Sequence, residues 1–469
     1  MTASCTMPRL VIAGLSGGSG KTIVSLGLLL ASRQRGLSVR AFKKGPDYID
    51  AAWLSWASGH PARNLDTYLM GFERTVKSFT LNGEPTGLNV IEGNRGLFDG
   101  LDARGTHSTA ELAKALSAPV VLALNATKVT RTAAALVLGC QKLDPTLNIA
   151  GVILNQVSGR RHEQVLREAI EADCNLPVLG VIPRADLSAL LPERHLGLVA
   201  PQEYGAREEL RTSLVEIVGS RLDLEKLLTI SRLAPSLAPS EMPCSASADG
   251  HGLKVGYICD TAFTFYYPEN LEALETTGAR LVPISALSAT SLPEDLDALY
   301  IGGGFPETHG ETLSANGAFL ASLRSAADHG LPIYAECGGL MLLARSILWR
   351  GRRHPMAGAL PLDVEVCAKP QGHGYSELLV DTPNAFFPLG TILRGHEFHY
   401  SRILPAGDLP ATACAVRRGT GCFEGRDGIL AGNVWASYTH LHAWATPEWA
   451  QGMLHAARRF AATVAPSIW

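Results

Sequence analysis

The stretch "VIAGLSGGSGKTIVSLGLLLA", residues 11–31, decides the fold of the first half of the chain. An apolar run, a glycine-rich loop and an apolar helical pattern follow one another, which predicts a strand, a turn and a helix. Glycines let backbone N–H groups turn toward a phosphate, while Lys21 and Thr22 stand where terminal phosphates and Mg²⁺ would bind. Leu15 replaces the first glycine of the strict pattern G-x-x-x-x-G-K-S/T, so the loop is a variant, and a plain glycine-rich turn is the alternative. The predicted nucleotide-binding residues are Ser16, Gly17, Gly18, Ser19, Gly20, Lys21 and Thr22.

Outward from this loop, apolar strand-like runs alternate with helical patterns from residue 8 to about 185. This βαβ rhythm predicts a doubly wound parallel sheet that is covered on both faces. A segment rich in Pro, Ser, Ala and Gly, residues 234–252, indicates a linker, after which a second α/β series begins. We therefore expect an α/β protein with two doubly wound domains: a P-loop domain with a parallel sheet over 1–230, a linker over 231–252, and a domain with a mixed sheet over 253–469.

The composition excludes several classes of partner. The chain has 469 residues, of which 18% are charged, and a formal net charge of −3, so a nucleic-acid partner is not expected. No apolar run is long enough to cross a membrane, and the first residues do not have the pattern of a signal peptide. The nine cysteines are scattered without a C-x-x-C pair, which is typical of reduced thiols. We predict a cytoplasmic protein that binds neither nucleic acid nor membrane.

Charged residues follow the next predicted strands, at the strand ends where ligands bind in open α/β sheets. Asp47 and Asp50 lie in "FKKGPDYID", and Glu92 and Asp99 lie in "VIEGNRGLFDG". Mg²⁺ takes a few carboxylates together with phosphate oxygens, so Thr22, Asp47 and Glu92 are predicted as its ligands. The alternative for each acid is a loop carboxylate that faces water, and for Asp50 and Asp99 both interpretations stay open.

A second candidate site is centred on Cys337 in "LPIYAECGGLMLLA", residues 331–344. A strand pattern before the cysteine and a helical pattern after it predict a sharp turn that presents the thiol above the sheet. We expect the helix N-terminus to lower the pKa of this thiol. The histidines of "YTHLH", residues 438–442, are candidate bases, and the N–H groups of Gly303 and Gly304 in "LYIGGGFPE" are a candidate oxyanion hole. The alternatives are a buried core cysteine and a tight glycine turn.

Together these segments resemble the cobyrinic acid a,c-diamide synthase family over nearly the whole chain. The resemblance is carried by the glycine-rich loop and by "KKGPDYID", "EGNRGLFDG", "DTAFTFYYPENLEALE", "IGGGFPE", "YAECGGLM", "GHEFHYS" and "YTHLH". The first half is also similar to dethiobiotin synthetase, and the second half to class I glutamine amidotransferases. The resemblance implies an ATP-dependent, glutamine-hydrolysing carbon–nitrogen ligase of corrinoid (cobalamin) biosynthesis that uses ATP and Mg²⁺.

The resemblance also implies roles for single residues. Cys337 would attack glutamine with His440 as its base, since His440 holds the Tyr-x-His position of the related amidotransferases. ATP would phosphorylate the a- and c-acetate carboxylates of cobyrinic acid, and ammonia from glutamine would displace the phosphate. Asn155 matches the asparagine with which dethiobiotin synthetase holds adenine, and the family suggests a homodimer. The residues expected beside the tetrapyrrole acid are Lys44, Tyr48, Ile49, Asp50 and Asp99.

One departure concerns the acid that orients the catalytic histidine. Many class I amidotransferases carry Glu two places after this histidine, where the present chain has His442. We therefore expect a dyad of Cys337 and His440 whose orienting group is not predicted, and Glu336 receives no role. Two alternatives to the function stay open: the same chemistry on hydrogenobyrinic acid or nickel-sirohydrochlorin, and a P-loop switch ATPase that binds partners.

Overall fold

The computed structural model describes residues 6–184, 193–194, 197–238, 249–405 and 407–464. The chain divides into two compact units, residues 1–242 and 243–469. Residues 239–248 of the predicted linker lie outside the described residues, and residues 231–232 end a helix of the first unit. Within the described ranges, no helix is long and apolar enough to cross a membrane.

The first unit is built around a parallel sheet. Its strands are β1 (Arg9–Gly14), β2 (Val39–Lys44), β3 (Arg63–Leu65), β4 (Leu88–Glu92), β5 (Val120–Asn125), β6 (Ile149–Val157) and β7 (Val178–Pro183). They pair in parallel in the order β3–β2–β4–β1–β5–β6–β7, which confirms the predicted sheet. All residues of β1 and β4 are buried, including the polar Arg9, Asn89 and Glu92, as expected for central strands of a parallel sheet that is covered on both faces. The strands β8 (Glu193–Arg194) and β9 (Gly197–Leu198) form a separate small sheet.

The helices of the first unit connect these strands. They are α1 (Lys21–Gln34), α2 (Tyr48–Ser58), α3 (Thr67–Asn82), α4 (Thr109–Ala115), α5 (Thr132–Leu143), α6 (Arg160–Cys174), α7 (Arg207–Ile217) and α8 (Leu224–Arg232). Gly20 precedes α1 with a φ of 92°, a left-handed conformation that glycine adopts without strain. Because neighbouring strands are parallel, the carboxyl ends of β1, β2, β4 and β6 lie at one edge of the sheet. The candidate residues that follow these strands are therefore gathered at that edge.

The second unit contains a ten-stranded mixed sheet, as predicted. Its strands are β10 (Lys254–Ile258), β11 (Arg280–Ile284), β12 (Ala298–Ile301), β13 (Ile333–Glu336), β17 (Gly372–Val380), β18 (Ile392–His399), β20 (Thr412–Arg418), β21 (Arg426–Ala431), β22 (Val434–Ser437) and β23 (His440–Leu441), in the order β11–β10–β12–β13–β22–β21–β20–β17–β18–β23. The neighbours β12, β13 and β22 are parallel, with Ile301 opposite Ala335 and Glu336 opposite Ser437. The chain segments after these three strands therefore meet at one edge of the sheet.

A four-stranded sheet and five helices complete the second unit. The strands are β14 (Ser346–Trp349), β15 (Arg352–Pro355), β16 (Leu362–Val366) and β19 (Ser401–Pro405). The helices are α9 (Pro268–Glu275), α10 (Gly310–Ala315), α11 (Gly317–Asp328), α12 (Gly338–Leu343) and α13 (Glu448–Val464). The two faces of β13 pack in different cores: Ile333, Ala335 and Cys337 join one cluster, while Tyr334 joins the other. Successive side chains of a strand point to opposite faces, which explains this division.

Candidate active sites

The glycine-rich loop lies between β1 and α1, where the sequence places it. Lys21 Nζ donates to the carbonyl oxygens of Ser16 at 2.9 Å and Arg95 at 2.7 Å. Burial lowers the pKa of Lys21. A Cβ atom added to Gly17 or Gly18 would meet no described atom within 4 Å. The outer side of the loop backbone is therefore open to a ligand, with the lysine ammonium held beside it.

Asn155, at the end of β6, lies directly against this loop. Its Nδ2 donates to the carbonyl oxygen of Ser19 at 3.2 Å, and the Ser19 hydroxyl donates to the Ser16 carbonyl oxygen at 2.9 Å. A Cβ atom on Gly20 would overlap Asn155 Nδ2 at 2.1 Å, so this position requires glycine. Asn155 Oδ1 is buried and has no hydrogen-bond partner among the described residues. This oxygen is an acceptor that an adenine amino group could use.

Glu92 is the centre of a buried cluster at the end of β4. Its Oε1 accepts from the Thr22 hydroxyl at 2.8 Å and from Lys43 Nζ at 2.8 Å. Lys43 Nζ also pairs with Asp50 Oδ2 at 2.5 Å. Burial alone would lower the pKa of Lys43, but Asp50, Glu92 and Asp47 together raise it. Lys43 is thus a charged group of this site that the sequence did not distinguish from the adjacent Lys44.

Mg²⁺ fits this cluster on two observations. In the part of the chain that the structure describes, the buried Glu92 Oε2 has no hydrogen-bond partner, and burial raises the pKa of Glu92. Asp47 caps α2 by accepting from the Asp50 N–H at 2.8 Å, and its removal from water, together with Asp50, raises its pKa to about 7. The charge of Lys43 therefore compensates these two carboxylates only in part, because the pKa of each stays raised. Among the described residues no three His, Cys, Asp or Glu side chains could hold a metal by themselves. Such a cage is not needed, since Mg²⁺ takes few carboxylates and completes its shell with phosphate and water.

The residues predicted beside the acid substrate fall into two groups. Tyr48 and Ile49 begin α2, next to Asp50 in the buried cluster, and burial lowers the pKa of Lys44 at the end of β2. Asp99 instead accepts from the N–H of Gly96 at 2.8 Å, within its own loop. The structure thus brings Asp50 to Lys43 and Glu92, whereas Asp99 stabilises the turn that follows β4.

In the second unit, Cys337 has the predicted strand–turn–helix geometry. It joins β13 to α12 with a φ of 46°, which is strained for a residue with a side chain. A Cβ atom on Gly339 would lie 2.4 Å from the Ile301 carbonyl oxygen, and one on Gly338 would lie 2.9 Å from the nitrogen of Gly304. The two glycines thus let the turn approach the segment after β12.

The prediction that the pKa of the Cys337 thiol is lowered is wrong. Burial raises it well above the ordinary value for a thiol, and the carboxylate of Glu307 adds to this. The N–H of Gly338 offsets the rise only in part, because a six-residue helix supplies few dipoles against full burial. The thiol therefore requires a base to remove its proton.

The glycine segment after β12 lies next to the cysteine turn. The Gly302 N–H already donates to the Tyr266 hydroxyl at 2.8 Å, and Gly303 forms an antiparallel bridge with Phe265. The backbone nitrogen of Gly304 lies beside Gly338, since a Cβ atom on Gly338 would be 2.9 Å from it. Of the two predicted oxyanion donors, Gly304 is therefore better placed than Gly303, and both roles stay predictions.

Gly303→Ala should lower glutamate release from glutamine by about 10²-fold, because small misplacements of a catalytic group have effects of this size. A Cβ atom at this position would lie 2.6 Å from His440 Cε1 and would displace the imidazole. The measurement is glutamate release at saturating glutamine. Gly317→Ala is the control, since an added Cβ there meets no atom within 4 Å. Wild-type turnover in the Gly303 variant would contradict the position of His440.

The two histidines of "YTHLH" differ in their surroundings. His440 Nδ1 lies 3.3 Å from Glu336 Oε2, and the His440 ring stacks on His396 with centroids 5.0 Å apart. His442 Nδ1 instead accepts from the Trp444 N–H at 3.2 Å. His442 Nε2 lies 3.6 Å from Glu269 Oε2. Both nitrogens of His442 are thus directed at structural groups, which supports His440 as the base.

Asp427 is a further residue of this site that the sequence did not indicate. Its carboxylate is fully buried and accepts from the Thr439 hydroxyl at 2.9 Å and from the N–H of Tyr438 at 3.2 Å. Cys422 Sγ also donates to it at 2.9 Å. Asp427 therefore holds the segment that carries His440, and it lies outside every motif that the sequence analysis singled out.

The protein combines a nucleotide-binding unit with a glutamine amidotransferase unit. Residues 10–199 match the family model described as "CobQ/CobB/MinD/ParA nucleotide binding domain". Residues 254–448 match the one described as "CobB/CobQ-like glutamine amidotransferase domain".

Curated relatives match the chain over nearly its full length. The chain is 44% identical to a cobyrinate a,c-diamide synthase of Magnetococcus marinus, with 95% of this chain and 96% of the relative covered. It is 39% identical to the enzyme of that name from Salmonella typhimurium, over 96% and 98% of the two chains. It is 38% identical to the enzyme of that name from Methanosarcina acetivorans, with 99% of this chain and 98% of the relative covered. The chain belongs to the cobyrinate a,c-diamide synthase family, a family of ATP-dependent, glutamine-hydrolysing ligases.

Proposed function

We propose that this chain uses ATP and glutamine to convert the a- and c-acetate carboxylates of cobyrinic acid into amides, a step of cobalamin biosynthesis. The observation that carries the proposal is the presence of both sites on one chain: a P-loop with a buried Lys43–Glu92 pair, and a cysteine turn and a buried histidine that both lie against the glycine segment after β12. The names of the full-length relatives support cobyrinic acid as the substrate.

Glutamine hydrolysis takes place in the second unit. Cys337 Sγ attacks the carboxamide carbon while His440 takes the thiol proton, because burial leaves this thiol protonated. His440 then gives the proton to the departing ammonia, and water hydrolyses the resulting thioester to glutamate. The N–H groups of Gly304 and, as a second prediction, Gly303 stabilise the oxyanion. Thioester formation divides the reaction into two lower barriers.

Amide formation takes place in the first unit. A substrate carboxylate oxygen attacks the terminal phosphorus of ATP, ADP leaves, and ammonia displaces phosphate from the acyl phosphate. The predicted loop holds the phosphates, Lys21 and Lys43 neutralise them, and Asn155 receives the adenine. Thr22, Glu92 and Asp47 would hold Mg²⁺, which neutralises phosphate charge when bound. Lys44, Tyr48, Ile49, Asp50 and Asp99 are proposed for the side of the acid substrate.

Asp47→Asn should lower amidation by at least about tenfold with glutamine and with ammonium salts alike, as loss of a residue around a metal does. The physical reason is the loss of one negative charge from the proposed Mg²⁺ site, while the amide oxygen still caps α2. Rates at increasing Mg²⁺ concentration measure this. Asp223→Asn, which caps α8 in the same unit, is the control. Normal ammonia-dependent turnover would remove Asp47 from the metal site.

The function as a whole is tested by incubating the protein with ATP, glutamine and a tetrapyrrole acid and following the product by mass spectrometry. Each amidation exchanges a hydroxyl group for an amino group, so two successive identical mass changes identify a diamide synthase. Parallel reactions with cobyrinic acid, hydrogenobyrinic acid and nickel-sirohydrochlorin separate the proposed substrate from its two alternatives. Absence of product with all three would contradict the proposal.

The alternative from a different class is a P-loop switch ATPase that binds partners. It predicts ATP hydrolysis without release of glutamate from glutamine, so a glutamate assay separates the two. A cytoplasmic location, a homodimer and the domain limits 1–230 and 253–469 complete the proposal. Sedimentation of the full chain tests the homodimer.

A further inference from the structure

We propose that Glu336 is the positioning residue of the amidotransferase site and holds His440 in the tautomer whose Nε2 can accept the thiol proton of Cys337. This inference rests on the proposed function, since it assigns a task within glutamine hydrolysis. It supplies the orienting acid from the residue before the nucleophile, whereas related amidotransferases carry it two places after the histidine.

The hydrogen bonds of Glu336 determine which nitrogen of His440 carries the proton. Glu336 Oε2 lies 3.3 Å from His440 Nδ1 and accepts from the Tyr300 hydroxyl at 3.1 Å. Glu336 Oε1 accepts from the N–H of Leu441 at 3.0 Å. A carboxylate only accepts hydrogen bonds, so His440 Nδ1 must be the donor. In the neutral ring the proton is therefore on Nδ1, and Nε2 is an acceptor.

The buried Glu336 carboxylate also stabilises the positive charge that His440 acquires during the reaction. Its side chain is 0% exposed, and in the described part of the chain His440 is the one basic side chain within ion-pair distance. A buried carboxylate without a cation is unfavourable. When His440 takes the thiol proton it becomes a cation, and Glu336 stabilises that charge. Successive side chains of a strand point to opposite faces, so Glu336 lies on the same face of the sheet as Tyr334 and Cys337 lies on the other face. The acid and the thiol therefore occupy different spaces.

Other polar groups around His440 do not perform this task. His396 stacks on the ring, and burial lowers the pKa of His396 well below its ordinary value, so it stays neutral. His442 Nδ1 is occupied by a backbone N–H. Asp427 binds Thr439, the residue before His440, and thus holds the backbone instead of the ring. Glu336 is the acid that contacts the imidazole itself.

Glu336→Gln tests the proposal with little change in side-chain shape. The NH₂ group of the new glutamine can face the Leu441 N–H, which places two donors against each other. It can instead face His440 and Tyr300. In that second case His440 Nδ1 becomes an acceptor and His440 Nε2 carries the proton. Glutamate release should fall about 10³-fold or more, as in catalytic triads whose acid is replaced by its amide. The KM for glutamine and the ammonia-dependent amidation should not change. Glutamate release within tenfold of wild type would overturn the proposal.

Tyr300→Phe is the matched control. It removes another donor to the same carboxylate oxygen in the same buried cluster, but it keeps the carboxylate and its contact with His440. Glutamate release should fall by no more than about 10²-fold, the upper effect of one hydrogen bond to a charged group. Equal losses in both variants would mean that the cluster acts only through packing, which would overturn the positioning role.

A measurement on the wild-type protein makes the test independent of how the variants fold. Nitrogen-15 spectra of histidine-labelled full chain report which ring nitrogen carries the proton, and the His440 signal is assigned as the one missing in His440→Asn. We expect the proton on Nδ1, whereas a proton on Nε2 alone would overturn the inference. Failure of the proposed function has a separate signature, which is the absence of tetrapyrrole amidation with ammonium salts.

Discussion

Replacing Cys337 by alanine is expected to abolish glutamine-dependent amidation and to leave ammonia-dependent amidation largely intact. The substitution removes the sulfur that attacks glutamine, and loss of a nucleophile lowers turnover by about 10⁴-fold or more. The P-loop, Lys43 and Glu92 belong to the first unit and are unchanged. The measurement is amide formation at saturating ATP with either glutamine or an ammonium salt as the nitrogen source.

The half-buried Cys367 provides the control for this prediction. Its sulfur lies 3.9 Å from the backbone carbonyl oxygen of Glu365. Cys367→Ala should therefore keep both nitrogen sources active. If Cys337→Ala lost amidation with ammonium salts as well, the two-site interpretation of the chain would be contradicted.

The opposite pattern is expected for Glu92→Gln, which should lower amidation from both nitrogen sources by about 10²-fold or more and spare basal glutamate release. Glu92 Oε1 accepts from Thr22 and pairs with Lys43, so loss of its charge leaves the buried lysine with Asp50 alone. Removing one partner of a buried ion pair is strongly destabilising, which makes the local effect large. Amide formation and glutamate release in one preparation are the two measurements.

Glu84→Gln is the matched control for Glu92, because Glu84 lies before β4, whereas Glu92 is the last residue of β4, and Glu84 accepts from the Ser38 hydroxyl. Its amidation rates should remain those of the wild type. A Glu92 variant with normal amidation would exclude this acid from the nucleotide site. Thermal unfolding of both variants separates a local effect in the site from loss of the fold.

Much of the first site could be predicted from the sequence because its parts are local. Glycines, Lys21 and Thr22 occupy consecutive positions, and their geometry follows from one strand–loop–helix connection. The arrangement of the acidic residues was harder to predict from the sequence. Asp50 and Asp99 looked alike in sequence, yet Asp50 pairs with Lys43 while Asp99 accepts from its own loop. Which side chain turns inward depends on the packing of neighbouring strands, and the sequence does not encode that locally.

The second site depends more strongly on tertiary structure. The elbow at Cys337 could be read from a strand pattern, two glycines and a helical pattern, but the pKa of its thiol could not. Burial decides that pKa, and burial comes from segments far away in the chain. The orienting acid is a similar case, since Glu336 reaches His440 across 104 positions.

The sequence by itself determined the two-unit α/β organisation, the phosphate loop and the cysteine turn, because each depends on short-range patterns of glycine and apolar residues. Only the tertiary structure decided which acids, lysines and histidines work together. Parallel pairing of β12, β13 and β22 brings three distant segments to one edge, and there Glu336, the residue before Cys337, contacts His440. Hydrogen bonds and ion pairs act over a few ångströms, so the residues that share a site are known only once these strands are in register.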